Sequence, residues 1–117
     1  MSASIRSITP QQMAERLRDL SAGPLQLIDV REPAELEIVN LNAVGFRNYP
    51  LSQYEEWSER ILVELDSEQP TFVLCHHGVR SAQMSYWLQV NGFTQVHNIS
   101  GGIHAWACEV DPSLPIY

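Results

Sequence analysis

Short apolar runs alternate along the chain with stretches of helical period. Residues 5–8 make a short extended start. Thr9 before Pro10 reads as an N-cap with proline in the first helical position, and Met13, Leu17 and Leu20 then recur at helical spacing. Ser21, Ala22, Gly23 and Pro24 stop that helix. The run L-Q-L-I-D-V (25–30) is a strand, and Pro33 opens a short helix through Leu36 and Ile38. The pattern of 43–51 is compatible with a short strand ending at Pro50. Ser52 with Glu55 fits a capping box, and Tyr54, Trp57, Ile61, Leu62 and Leu65 predict one helix that Gln69-Pro70 breaks.

The run T-F-V-L (71–74) is β-branched and aromatic and carries no charge, as a central strand buried on both faces would. A turn over 75–79 follows. Ala82, Met84, Trp87, Leu88 and Val90 then predict a buried helix ended by Asn91-Gly92. Residues 96–99 form another strand, and Gly101-Gly102 begins a last short helix with Ile103 and Trp106. Trp57, Trp87 and Trp106 are expected in the core. Alternating strands and helices with short links imply an α/β fold, a parallel sheet with helices on both faces. At 117 residues the chain is expected to form a single domain over 1–117.

Charge sharpens this picture. The formal net charge is -7, and all seven basic residues are Arg. An acidic chain with no basic run is a poor partner for nucleic acid. Ten of the fourteen acids lie between Asp29 and Glu68, whereas Arg80 is the single formal charge from Gln69 to Cys108. Gln, Asn, Ser, His and Gly interrupt the charge-free run 81–108 too often for a membrane span, and Ser2, Ser4, Arg6, Ser7 and Thr9 leave no room for an apolar signal core in residues 1–10. A cytoplasmic protein with reduced thiols is expected. The acidic stretch 55–68 reads as a solvated face, with docking of a basic partner as the alternative.

The lone charge falls in C-H-H-G-V-R-S, from Cys75 to Ser81, between an apolar strand and a helix start. Such a loop turns successive N–H groups inward, and the helix dipole adds positive potential. Gly78 permits the tight backbone this needs. The expectation is an exposed Cys75 sulfur, poised as an anion within a ring of amides from His76, His77, Gly78, Val79, Arg80 and Ser81. Arg80 would hold the loop or an anionic substrate, and His76 and His77 would add partial positive charge. Asp29 and Arg31, at a strand end on the same face, would brace the loop or simply cap the strand. No metal is expected, because Cys75, His76 and His77 are adjacent rather than spaced as tetrahedral ligands usually are. His97 and His104 read as surface or hydrogen-bonded residues, and Cys108 as a packing residue with a resolving thiol as the lesser option.

C-H-H-G-V-R-S resembles the active-site loop of rhodanese-like domains, C-x-x-G-x-R-S/T. D-V-R-E-P-A-E (29–35) and G-G-I-H-A-W (101–106) resemble two further segments of that family, in the same order. The resemblance spans nearly the whole chain. The region 38–46 departs from the family's usual G-H-I-P-G-A, which leaves donor or partner preference open. The resemblance implies a central sheet of about five parallel strands and a sulfurtransferase without cofactor. Cys75 would take sulfur from a small anionic donor such as thiosulfate and pass it to a thiol, a protein cysteine or cyanide. Two other readings stand beside it. One is a non-catalytic protein-binding module of the same fold. The other is a phosphatase or arsenate reductase, which the spacing C-x4-R disfavours against the C-x5-R of those enzymes.

Overall fold

A computed structural model describes residues 5–19 and 21–117. The expectations for Met1–Ser4 and for Leu20 lie outside the described residues. Five parallel strands form one sheet: β1 (Arg6–Ile8), β2 (Gln26–Asp29), β3 (Arg47–Asn48), β4 (Thr71–Leu74) and β5 (Val96–Ile99), in the order β1-β5-β4-β2-β3. The uncharged run T-F-V-L is therefore the middle strand, and all four of its residues are buried.

The pleat of β4 divides the core in two. Val73 and then Cys75 face a layer with Ile28, Val30, Trp57, Ile61, Met84 and Leu88. Phe72 and Leu74 face the other, with Met13, Leu27, Ile99, Ile103 and Trp106. The first layer takes its helical residues from α3 (Tyr54–Trp57), α4 (Arg60–Glu64) and α5 (Val79–Val90). The second takes them from α1 (Pro10–Arg18) and α6 (Gly102–Glu109). A further helix, α2 (Pro33–Ile38), follows β2. No helix among the described residues is long and apolar enough to cross a membrane.

Local signals explain most boundaries. Thr9 and Gln12 cap α1 reciprocally, with Thr9 Oγ1 accepting the Gln12 N–H at 3.1 Å. The predicted single helix over 52–65 is corrected: it is a 3-10 turn (Leu51–Gln53) followed by α3 and α4. Ser52 caps nothing there, since its hydroxyl donates to Glu32 instead. Trp57 Nε1 donates to the Pro50 carbonyl at 2.6 Å, which binds the first turn back onto the preceding strand end. Leu62 and Val90, both assigned to apolar stripes, are exposed.

Candidate active site

Cys75 follows the last residue of β4, and α5 begins at Val79. Asp29 pairs with Leu74 in the sheet register, so the carboxyl ends of β2 and β4 lie side by side. In open α/β sheets this edge is where ligands bind. Gly78 precedes α5 with φ +98°. The α6 N-terminus ties down the loop from outside, with Ile103 N–H donating to the Cys75 carbonyl at 2.8 Å and His104 N–H to the His76 carbonyl at 3.1 Å. A Cβ on Gly102 would collide with both carbonyls, so glycine is what lets α6 approach this closely.

The sulfur sits in a closed set of hydrogen bonds. Gly78 N–H donates to Cys75 Sγ at 3.0 Å, and Ser81 Oγ lies 3.2 Å from the same sulfur. The Ser81 hydroxyl donates to Asn98 Oδ1. Asn98 Nδ2 donates to the Gly78 carbonyl at 3.0 Å, which sets the amide's orientation. With its proton on Asn98, Ser81 presents a lone pair to Cys75 and accepts from the thiol. Once that proton leaves, the Gly78 N–H still points at the sulfur and the Ser81 hydroxyl can turn toward it.

Behind the loop runs a chain of paired charges. Arg80 donates to both carboxylate oxygens of Glu35 at 2.7 and 2.8 Å. That guanidinium holds the Glu35 carboxyl at about 2, against an ordinary 4.5, and Glu35 in turn pushes Arg80 up. The Tyr117 hydroxyl donates to Glu35 at 2.9 Å and accepts from Arg31 Nη1 at 3.1 Å. Arg31 is fully buried and binds Asp29 through Nε and Nη2, the shortest contact being 2.8 Å. Burial raises the Tyr117 phenol and lowers the His76 imidazole. The His76 ring stacks on Tyr117 at 3.8 Å, with its Nε2 2.7 Å from the Tyr117 carbonyl.

Several expectations need correction. Cys75 is 1% exposed, not open to solvent, because α6 covers the loop and the sulfur's own layer of the core packs around it. Among the described hydrogen bonds, one loop amide reaches the sulfur, that of Gly78, rather than a full ring. Arg80 and Arg31 are paired with Glu35 and Asp29 rather than left free for an anion, and the group that reaches the sulfur directly is the Gly78 backbone N–H. Val79 is exposed and His77 is exposed, while Ser81 is buried. Asp29 and Arg31 do connect to the loop, through Tyr117 and Glu35. Cys108 is exposed rather than packed.

Sequence reasoning missed Glu35, Asn98 and Tyr117. Asn98 carried a signal: it is a polar residue inside the otherwise strand-like V-H-N-I, and it is 8% exposed.

The family model of the rhodanese-like domain matches residues 9–109. Rhodanese-like/PpiC domain-containing protein 12, chloroplastic, of Arabidopsis thaliana is 44% identical over 114 residues, which is 97% of this chain and 38% of that protein. Adenylyltransferase and sulfurtransferase MOCS3 of Drosophila ananassae is 40% identical over 100 residues, which is 80% of this chain and 21% of that protein. This chain thus spans well under half the length of both. A rhodanese-like domain protein from Staphylococcus aureus superposes with a TM-score of 0.73 at 27% identity, covering 97% of this chain and 99% of that one.

Proposed function

The chain belongs to the rhodanese-like domain family, and from that membership we propose that it is a sulfurtransferase carrying sulfur as a persulfide on Cys75. The Cys75 thiolate attacks the outer sulfur of a donor of the thiosulfate class. The new S–S bond forms as the donor's own S–S bond breaks, and sulfite leaves with that electron pair. An acceptor thiolate or cyanide then attacks the terminal persulfide sulfur, and Cys75 departs as thiolate. These are two half-reactions of covalent catalysis.

The observation that carries this reading is the Gly78 N–H aimed at Cys75 Sγ from 3.0 Å at the start of α5. A donor at a helix start favours negative charge on the sulfur without needing an unpaired side-chain cation. The test is intact-mass measurement after thiosulfate treatment. One added sulfur should map to Cys75 and disappear in Cys75→Ser; an unmodified wild type refutes the proposal.

The burial of Cys75 and the pairing of Arg80 with Glu35 favour one second reading, a non-catalytic protein-binding module. That reading requires no turnover with any donor of a panel, and capture of a protein partner that survives Cys75→Ser.

A further inference from the structure

The fold brings together three imidazoles that the sequence holds apart. His76 and His77 lie in the Cys75 loop, and His104 comes from the first turns of α6. The ring centroids of His76 and His77 are 3.8 Å apart, those of His77 and His104 5.0 Å, and those of His76 and His104 6.3 Å. One ring nitrogen from each residue lies within 4.8 Å of the others. From this geometry we propose that His76, His77 and His104 form a site for one borderline divalent cation of the zinc, nickel and copper class, at the outer side of the Cys75 loop.

Imidazole is the ligand this class of ion prefers among nitrogen and oxygen donors. Three protein ligands with a fourth position left to water or an incoming anion is a common arrangement for zinc. Metal–nitrogen bonds of about 2.0–2.1 Å in a tetrahedral site place the nitrogens roughly 3.4 Å apart. The rings therefore need to close by about an ångström, and the exposed His77 is free to make that movement.

The other two residues are anchored in different ways. His76 is clamped by its stack on Tyr117 and by the contact of Nε2 with the Tyr117 carbonyl at 2.7 Å. With Nε2–H donated to that carbonyl, Nδ1 keeps its lone pair for a metal. This is how metal-bound histidines are usually oriented, the second nitrogen donating to a carbonyl or carboxylate. The backbone of His104 is tied to the loop by its N–H to the His76 carbonyl at 3.1 Å. The His104 Nδ1 is buried and has no hydrogen-bond partner, a costly state that a ligand would relieve. Cys75, His76 and His77 are too closely spaced in sequence to share one ion; the third imidazole arrives through the contact of α6 with the loop.

The site is testable without any sulfur donor, so its outcome is separate from that of the sulfur-transfer reading. Untagged, chelator-treated protein is titrated with Zn2+ against a chromophoric chelator, and with Co2+ by visible absorption. One equivalent should bind, and the Co2+ spectrum should lack a thiolate charge-transfer band. Cys75→Ser and Cys108→Ser should bind as the wild type does. His77→Ala and His104→Ala should each weaken Zn2+ binding at least about tenfold. Should His104→Ala fail to fold, the exposed His77→Ala decides alone. Binding that vanishes in Cys75→Ser, that is unchanged in His77→Ala, or that is absent from the wild type overturns the proposal.

Discussion

Glu35→Gln removes the charge that Arg80 faces while keeping an acceptor for the Tyr117 hydroxyl. Arg80, Tyr117, the Glu32 backbone N–H at 2.8 Å and, through Tyr117, Arg31 are the groups around this carboxylate. The depression from 4.5 to about 2 corresponds to about 3 kcal/mol of stability if it is taken whole, at about 1.4 kcal/mol per pH unit. The Arg80 side chain is 33% exposed and that of Glu35 18%, so solvent screening reduces the figure to about 1–2 kcal/mol. The sign follows from the direction of the shift. The folded-state value is depressed, so the stabilisation is complete above 4.5 and is lost as pH falls from 4.5 toward 2. Urea unfolding of wild type and Glu35→Gln should therefore show a gap of about 1–2 kcal/mol at neutral pH that narrows steadily below pH 4.5. In an Arg80→Ala background the same substitution should cost clearly less, since only the Glu32 N–H and the Tyr117 hydroxyl then favour the carboxylate. A gap independent of pH, or one undiminished by the loss of Arg80, would refute the pairing as the main source of the stability.

Two further outcomes follow from the loop's surroundings. Gly102→Ala places a methyl group against the Cys75 and His76 carbonyls at a φ of +64°, and should cost more than about 3 kcal/mol in chemical denaturation. Gly23→Ala, at φ +82° with nothing within 4 Å, should cost about 1–2 kcal/mol; equal losses would contradict the close α6 contact. Cys75 is buried and Cys108 exposed, so a bulky maleimide should label Cys108 first, with Cys75 at least about tenfold slower because the loop must open locally. Peptide mapping over a time course reads this, and matched rates in the native protein would contradict the burial.

What the sequence disclosed depended on how local the cause was. The run T-F-V-L revealed its central place because burial on both faces excludes charge from four successive residues. The helix expected over 52–65 instead starts as a 3-10 turn and is interrupted between Trp57 and Arg60, and Ser52 does not cap it. The Ser52 hydroxyl goes to Glu32, twenty residues away, a choice set by tertiary contact. The same distinction runs through the site. Cys75, Gly78 and Ser81 lie within one loop, so their meeting was legible. Glu35, Asn98, Tyr117 and His104 reach the loop from α2, β5, the chain end and α6, and only the sheet order and the packing of α6 place them there.

Charge misled for a related reason. A single Arg in a long uncharged stretch suggests a cation left free for an anion. Its partner lies in the acid-rich segment before it, and a bidentate pair at 2.7 and 2.8 Å commits both Arg80 terminal nitrogens to Glu35. Holding the loop and stabilising the anion are thus separate tasks carried by different groups. The paired chain from Asp29 to Arg80 fixes where α5 begins, and the Gly78 amide and Ser81 hydroxyl meet the sulfur. Loss of Arg80 should consequently act on Cys75 through displacement of the Gly78 amide, and the shift of that amide's resonance in the variant is the quantity that distinguishes this route from a lost charge.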